Sequence, residues 1–307
     1  MLINIKSYFG RYVVEEIGEL KKKHLDQKNN FYLIDKKVYQ KFLKNKIKGK
    51  IILIDSTEKN KSYFEIGLVI KKIISKGIRR SSTIIAIGGG IVQDISGFVA
   101  SILFRGVEWY FYPTTLLAQG DSCIGGKTSI NFGIAKNQIG NFYPPKKIFL
   151  YSEFLKGLKK KEIMSGLGEL AHYYLVSKKS DWKYYNNNLK YYLNNLSNYN
   201  ILRRIAFKSL LIKKKFIEKD EFDRGFRLIL NYGHSFGHAI EKITNFKIPH
   251  GLAVAHGMNM ANFFSYNLNL MSKKEFKNIE KTLKKLINLR EISHLKHDKF
   301  IKILKQD

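Results

Sequence analysis

Histidine is concentrated in one part of the 307-residue sequence: five of its eight histidines fall between positions 172 and 256. A polar series recurs there at steps of four, three, four and three, and on an α-helix this spacing places its members on one face. Gly233 and Gly237, four residues apart, would allow another backbone to approach that helix closely. The members of the series are Arg227, Asn231, His234, His238 and Glu241.

These side chains are suited to binding a divalent metal ion. His234 and His238 are one helical turn apart, and spacing alone nominates the two together as ligands. His250 follows a proline and Glu169 belongs to a separate helical segment, so a site with three ligands and an open position could be assembled. Any single histidine could instead be a hydrogen-bonded core residue. A metallopeptidase is not indicated, because residues 235–237 contain no glutamate that could act as the base.

A glycine-rich segment indicates a phosphate-binding turn. Residues 84–94 read Ile-Ile-Ala-Ile-Gly-Gly-Gly-Ile-Val-Gln-Asp, which predicts a buried strand, a glycine turn and then a helix. Glycines let a backbone approach a phosphate, and a helix N-terminus favours its negative charge. The alternative is a tight turn that needs glycine only for positive φ. Asp94, near the start of the helix, could face a ligand or interact with the helix dipole.

The segment that follows is rich in polar side chains able to hold a phosphate and fixed hydroxyls. They are expected in glycine-rich loops, and a plain polar surface loop is the alternative. Residues 125–128 read Gly-Gly-Lys-Thr, but the first glycine of a nucleoside triphosphate loop is missing upstream. The side chains concerned are Arg105, Asp121, Lys127, Lys136 and Asn137.

Two kinds of pattern divide the chain. Up to about residue 150, short apolar runs such as 31–35, 51–55 and 83–87 alternate with helix-period segments such as 63–76, which predicts a parallel sheet with crossover helices. From about Tyr151 onward, Leu and Ile recur at helical spacing. We therefore expect an α/β domain over residues 1–150 and a mainly α-helical domain over residues 151–307.

Composition limits the partners. The formal net charge is +30, but the lysines are spread along the chain, so we expect solvated faces and no nucleic-acid partner. A single cysteine, Cys123, excludes an internal disulfide and fits a reducing compartment. No stretch approaches the roughly 18 uncharged apolar residues that a membrane span needs, and the N-terminus lacks a signal-peptide core. A cytoplasmic location without membrane attachment is expected.

Taken together, the motifs resemble the 3-dehydroquinate synthase family of sugar phosphate cyclases. They occur in one order: Gly-Gly-Gly-x-x-x-Asp, Arg-Gly, Pro-Thr-Thr-Leu-Leu-Ala-Gln, Gly-Gly-Lys-Thr, Lys-Asn-x-Ile-Gly and Asn-Tyr-Gly-His-Ser-Phe-Gly-His-Ala-Ile-Glu, followed by His-Gly-x-Ala-Val. The match runs from about Asp35 to Met258. It implies a Rossmann-like NAD domain, an α-helical domain that binds metal and substrate, and a homodimer.

The resemblance also assigns roles by position. It makes Glu169, His234 and His250 the ligands of Zn²⁺ or Co²⁺ and leaves His238 as a substrate contact, against the spacing argument. Residues matching NAD contacts are Asp35, Glu58, Lys61, Gly89, Gly90, Asp94, Thr114, Thr115 and Phe154, with Lys127 and Lys136 between cofactor and substrate. Residues matching substrate contacts are Asp121, Asn137, Lys213, Arg227, Asn231 and His238, and Arg105 is expected to reach in from the other subunit.

The implied reaction is the cyclisation of a sugar acid phosphate with loss of phosphate, in which NAD undergoes no net redox change. Among the positions that depart from the family pattern, His172 replaces a customary lysine, and Gln93 replaces a glycine before Asp94. A cyclase that makes an inosose or a valiolone, and a metal-dependent polyol dehydrogenase of the same fold, are the alternatives. A dehydrogenase would release NADH.

Overall fold

The computed structural model describes residues 1–20, 29–133 and 135–305. The chain divides into two compact units, Met1–Leu158 and Lys159–Asp307. The first unit thus extends past residue 150, where the composition changes, because Phe154 lies in its hydrophobic core together with residues of the sheet such as Tyr32 and Phe149.

The first unit contains a seven-stranded sheet in the order β1-β2-β9-β6-β5-β3-β4. The pair β1–β2 is antiparallel and every other pairing is parallel. The predicted α/β class is confirmed, although the antiparallel N-terminal pair makes the sheet mixed rather than purely parallel. The strands are β1 (Leu2–Ser7), β2 (Gly10–Glu16), β3 (Asn30–Asp35), β4 (Lys50–Ile54), β5 (Thr83–Gly88), β6 (Glu108–Pro113) and β9 (Lys147–Leu150).

Two α-helices of this unit that are longer than one turn follow strands. Helix α1 (Tyr63–Ser75) begins at Ser62, whose hydroxyl accepts a hydrogen bond from the backbone N–H of Glu65 and so satisfies a free donor of the first turn. Helix α2 (Gly90–Ile102) is buried along most of its length. Its N-terminus lies directly after β5, in the centre of the sheet.

A second, two-stranded sheet carries the polar segment of the sequence. Strand β7 (Lys127–Phe132) pairs antiparallel with β8 (Ala135–Phe142), with a register irregularity between Ile130 and Phe132. A short π-helical segment, Ala118–Ser122, precedes this hairpin. The expectation of glycine-rich loops is wrong here, because the alternation of Thr128 and Ile130 with polar neighbours suits a strand with one buried face.

The described part of the second unit is built from helices, as predicted. No described helix has both the length and the apolar character needed to cross a bilayer. The helices are α3 (Lys160–Leu175), α4 (Lys179–Asn194), α5 (Tyr199–Ile217), α6 (His234–Ile243), α7 (His250–Asn267), α8 (Lys273–Leu283) and α9 (His297–Leu304).

Candidate functional site

The glycine turn lies at the carboxyl end of β5, between that strand and α2. A Cβ on Gly88 would overlap Val92, and one on Gly89 would lie 2.9 Å from Cγ2 of Thr115, so both positions exclude a side chain for lack of space. A Cβ on Gly90 would meet no atom within 4 Å. None of the three has positive φ. The explanation that the turn needs glycine for positive φ is therefore wrong. The open space at Gly90 would allow a phosphate group of a ligand to approach the protein backbone closely.

This turn occupies the point of the sheet at which ligands of parallel α/β folds bind. Strand β4 lies on one side of β3, and the next strand in sequence, β5, lies on the other side. The order of strands therefore reverses between β3 and β5. Asp35 ends β3, and its Oδ1 accepts hydrogen bonds from the N–H groups of Lys37 and Val38 at 2.7 and 2.9 Å. Thr114 is buried after β6, and its N–H donates to the carbonyl of Gly88. Several predicted cofactor contacts therefore converge here.

A buried ion pair links α2 to the hairpin. Lys61 Nζ lies 2.6 Å from Asp94 Oδ2 and donates to Asn137 Oδ1 at 2.6 Å. Asp94 also accepts from the N–H of Ser129 on β7. Burial raises the pKa of Asp94, and it does so despite the opposing effect of Lys61. The sequence motifs did not include Ser129, although its place two residues after Lys127 puts it on the same face of β7.

The polar hairpin brings two more predicted contacts to this network. Lys136 Nζ lies 3.9 Å from Glu58 Oε2. Glu58 also accepts a hydrogen bond from Asn131 Nδ2 at 2.9 Å, and Asn131 Oδ1 in turn accepts from the N–H of Asn137. Asn131 is thus a positioning group that the motifs missed. Lys127 begins β7 and its side chain is exposed.

Four other predicted residues of this unit lie in different surroundings. Thr115 Oγ1 accepts from the N–H of Ala118 and so caps the segment that carries Asp121. Arg105 is exposed and has a φ of 63°. The ring of Phe154 is 1% exposed and packs edge-on against Tyr151, so this ring offers no surface to a cofactor.

In the second unit, close helix crossings bring the predicted metal ligands together. A Cβ on Gly251 would overlap the carbonyl of Ser165, and one on Gly168 would overlap the carbonyl of Gly251. Helices α3 and α7 therefore touch beside Glu169, which follows Gly168, and beside His250, which precedes Gly251. Gly233 and Gly237 approach α7 in the same way, as the sequence predicted, and this places His234 beside α7.

Three side chains consequently surround one point. Glu169 is 3% exposed. Its Oε1 lies 3.4 Å from Nε2 of His234, and its Oε2 lies 3.4 Å from Nε2 of His250. One ligand atom from each of the three residues lies within 4.8 Å of the others, which is compatible with coordination of a single ion.

A second group of possible ligands shares His250. It consists of His238, Glu241 and His250, and their ligand atoms also lie within 4.8 Å of one another. Glu241 Oε2, however, lies 2.9 Å from Nδ1 of His250, while Nε2 of the same ring faces Glu169. A carboxylate that holds the far nitrogen of a ligating histidine is a recurrent outer partner in metal sites. The first group, with Glu241 as the orienting residue, is therefore the better metal site.

The first group also has the buried polar atoms that an ion would satisfy. Oε2 of Glu169 is buried without a hydrogen-bond partner among the described residues. Burial alone would raise the pKa of Glu169, but the adjacent imidazoles of His250 and His234 outweigh it and hold the pKa well below its usual value. Glu169 is therefore an anion at neutral pH, and one carboxylate with two imidazoles is a donor set suited to Zn²⁺ or Co²⁺.

The polar series does not occupy one helix. Residues 226–231 form a 3-10 helix. Gly233, with a φ of 84°, then breaks the helical conformation before α6 begins at His234. The expectation of one continuous helix is therefore wrong. Arg227 is instead buried and fixed by its own loop: its N–H donates to Asp220 Oδ2, and its Nη1 donates to the carbonyl of Glu221. Asn231 ends the 3-10 helix and is exposed.

Two other predicted residues lie beside the ligands, and a third, Lys213, lies near Tyr173. His172 is 1% exposed, and its ring centroid lies 5.3 Å from that of His234. The His238 ring lies 5.7 Å from His234 and 5.8 Å from His250. Lys213 is buried on α5, with Nζ 5.9 Å above the ring of Tyr173. The second unit thus places two further histidines, His172 and His238, beside the candidate metal site, and Lys213 near Tyr173, whose ring lies 3.9 Å from that of His172.

Comparisons with known proteins agree with this arrangement. Residues 51–165 match the family model described as 3-dehydroquinate synthase N-terminal, and residues 166–307 match 3-dehydroquinate synthase C-terminal. The 3-dehydroquinate synthase of Buchnera aphidicola subsp. Cinara cedri (strain Cc) is 40% identical over 281 residues, which cover 89% of this chain and 76% of that protein.

Two solved structures share the fold. One is 2-deoxy-scyllo-inosose synthase complexed with carbaglucose-6-phosphate, NAD⁺ and Co²⁺, at a TM-score of 0.87 and 24% identity over 100% of this chain and 87% of that chain. The other is ValA, the 2-epi-5-epi-valiolone synthase of Streptomyces hygroscopicus subsp. jinggangensis 5008, with NAD⁺ and Zn²⁺ bound, at a TM-score of 0.85 and 21% identity over 96% and 86%. With both domain models matched and a relative at 40% identity, the chain belongs to the 3-dehydroquinate synthase family, enzymes of the shikimate pathway.

Proposed function

We propose that this chain converts 3-deoxy-D-arabino-heptulosonate 7-phosphate to 3-dehydroquinate and phosphate, with NAD and a divalent metal ion as cofactors. The observation that carries the proposal is the convergence of Glu169, His234 and His250 in a chain of this family. Zn²⁺ is the first choice and Co²⁺ the second, since relatives of the same fold contain one or the other.

The metal ligands and their orienting residue form one connected group in this proposal. Glu169, His234 and His250 hold the ion, and Glu241 keeps the Nε2 lone pair of His250 directed at it through the 2.9 Å contact with Nδ1. The bound ion supplies Lewis acidity at a substrate hydroxyl, and NAD supplies a reversible hydride acceptor. His238, next to both ligand histidines, is placed to exchange a hydrogen bond with a substrate hydroxyl.

The cationic groups of the second unit bind the anionic substrate. Lys213 and Arg227 are both buried, and burial strengthens the attraction between a cation and an anionic partner. A carboxylate or a phosphate is such a partner, and the planar guanidinium of Arg227 favours two-point contact. Holding the substrate at both ends raises the rate by fixing the reacting groups in place. We assign His172 and Asn231 to the same substrate site.

The first unit binds NAD in this proposal. The open side of Gly90 and the N-terminus of α2 accept the pyrophosphate, and Asp35, at the end of β3, binds a ribose hydroxyl. Gly89, Thr114 and Thr115 line the same turn. The linked Glu58, Lys61 and Asp94 lie beside it, and Lys136 and Asn137 on the hairpin belong to the same network. Asp121 and Asn137 are substrate contacts in this proposal, and Lys127 and Lys136 contact both cofactor and substrate.

We propose a homodimeric assembly and a cytoplasmic location. The active form is a homodimer in which the exposed Arg105 reaches the substrate of the partner subunit. Location in the cytoplasm is supported by a cysteine content that excludes an internal disulfide.

The experiment that tests the function is phosphate release from the purified, zinc-loaded protein with the seven-carbon substrate and catalytic NAD. We expect many turnovers per NAD and no build-up of NADH. Stoichiometric NADH would identify a dehydrogenase instead. A hexose 6-phosphate, which lacks the carboxylate, is the matched control substrate: turnover of this compound alone would identify an inosose-type cyclase. Protein with bound metal and NAD that releases no phosphate from either substrate would refute the proposal.

A further inference from the structure

The side chain of Gln93, on the first turns of α2, makes a paired contact with Ser122. Gln93 is 5% exposed. Its Nε2 donates to the carbonyl of Ser122 at 2.6 Å, and its Oε1 accepts from the hydroxyl of Ser122 at 2.7 Å. A carbonyl can only accept, so the amide nitrogen must face it and the amide orientation is fixed. Both polar ends of this buried side chain are therefore committed to one residue.

That residue ends the π-helical segment Ala118–Ser122. The N–H of Cys123 donates to the carbonyl of Ala118, which closes the wide turn. Carbonyls at the end of a helix have no partner within the helix, and Gln93 supplies one to Ser122. Short π-helical segments are uncommon and frequently occur at functional sites. Asp121 lies inside this segment, one residue before Ser122.

A second glutamine holds the other end of the same segment. Gln119 is buried, and its Nε2 donates to the carbonyls of Pro113 and Tyr151 at 3.1 and 3.0 Å. Gln119 connects the segment to the ends of β6 and β9, while Gln93 connects it to α2. The backbone on both sides of Asp121 is therefore fixed by side-chain amides.

We propose that Gln93 is a positioning residue for Asp121: it caps the π-helical segment and so holds the Asp121 carboxylate at the substrate. This inference rests on the substrate role given to Asp121 under the proposed function. The next residue on α2, Asp94, contacts Lys61 and the hairpin instead. The two neighbours thus serve different ligands, and loss of Gln93 should affect the substrate and spare NAD.

The test compares Gln93→Leu, which conserves volume and removes both hydrogen bonds, with the milder Ser122→Ala, which removes only the hydroxyl. Ser96→Ala is the matched control, because Ser96 lies on the same helix, is buried, and has a hydroxyl without a partner among the described residues. The readouts are kcat, KM for the substrate, NAD affinity, and hydrogen exchange of the backbone amides between residues 118 and 124.

For Gln93→Leu we expect kcat/KM to fall about 10-fold or more, since a displacement of about 1 Å can cost as much as about 100-fold. Amide exchange between residues 118 and 124 should accelerate, while NAD affinity stays within about 2-fold of wild type. Ser122→Ala should show a smaller loss of the same kind. Ser96→Ala should match wild type in every readout.

A double-mutant cycle separates positioning from general destabilisation. If Gln93 acts through Asp121, Gln93→Leu adds little further loss of kcat/KM in an Asp121→Asn background. Additive losses, or unchanged exchange between residues 118 and 124 in Gln93→Leu, overturn the proposal. The exchange measurement needs no turnover, so it judges Gln93 even if wild-type protein releases no phosphate, a result that would count against the proposed function alone.

Discussion

Replacement of Glu241 by glutamine should weaken metal binding without abolishing it. Glu241 Oε2 lies 2.9 Å from Nδ1 of His250, and Nε2 of the same ring faces the carboxylate of Glu169 at 3.4 Å. Glutamine keeps the shape of the side chain and one acceptor oxygen but removes the charge. The imidazole then loses part of the support that orients it and makes it a stronger ligand.

The size of the effect follows from the kind of hydrogen bond that is lost. A hydrogen bond to a charged group contributes about 1.5–3 kcal/mol and a neutral one about 0.5–1.5 kcal/mol, so the change removes about 1–1.5 kcal/mol. Since 1.4 kcal/mol corresponds to a factor of 10, the Kd for Zn²⁺ should rise about 10-fold. Glu241→Ala removes the whole interaction and should raise the Kd by about 10- to 100-fold.

The assay is a titration of metal-free protein with Zn²⁺ against a competing chelator. Glu275→Gln is the control, because Glu275 is a half-exposed acid on α8 that pairs with Lys179. An unchanged Kd in Glu241→Gln would show that Glu241 does not orient His250. A rise in the Kd for Zn²⁺ beyond about 1,000-fold would also refute the reasoning. It would make Glu241 a direct ligand, as in the group that includes His238.

Three further variants test the packing, the cofactor turn and a pH effect. Gly251→Ala should lower the free energy of unfolding by about 1–3 kcal/mol in urea denaturation, because its Cβ would overlap α3, while Gly67→Ala, with open space on α1, should raise it by up to about 1 kcal/mol. Gly90→Ala should leave stability near wild type yet weaken NAD binding about 10-fold in a calorimetric titration, because its open side is reserved for the ligand. Partial burial raises the pKa of Asp181, but the hydrogen bonds from Lys208 and Ser177 and the charge of Lys208 together outweigh burial and lower the pKa. Asp181→Asn should therefore lower the free energy of unfolding by about 1 kcal/mol near neutral pH. As pH falls from about 5 towards about 2, the folded wild-type protein takes up a proton on Asp181 and loses this stabilisation, so the difference between the two proteins should disappear.

Local patterns in the sequence were sufficient to predict most of the regular elements. Apolar runs at residues 31–35, 51–55 and 83–87 are strands β3, β4 and β5, and the helix-period segment from residue 63 is α1. The spacing of apolar residues reflects which face of each of these elements is buried, so the element type can be predicted from the sequence. The antiparallel N-terminal pair and the hairpin β7–β8 lack such long apolar runs.

Spacing was a poorer guide to the site, because it assumes that a helix continues. Gly233, in a left-handed conformation, breaks the helical conformation, so Arg227 and Asn231 do not share a helix with His234. Spacing also paired His234 with His238. The partners of His234 are instead set by helix crossings at Gly168 and Gly251, which bring in residues distant in the sequence. The order of the family motifs supplied the grouping that periodicity could not.

The sequence signals for the orienting residues were present but ambiguous. Glu241 belongs to the polar series, yet nothing in its spacing shows that it contacts His250, nine residues later and on the next helix. Gln93 and Ser122 are 29 residues apart, and only the fold brings them together.

The metal site can be tested by measuring the zinc content of wild-type protein and of His234→Ala after equilibrium dialysis against Zn²⁺. We expect one ion per chain in the wild type and none in the variant, with thermal unfolding still cooperative so that the loss is local. Equal zinc content in the two proteins would contradict the assignment of His234 as a ligand, and with it the metal site on which the proposed chemistry depends.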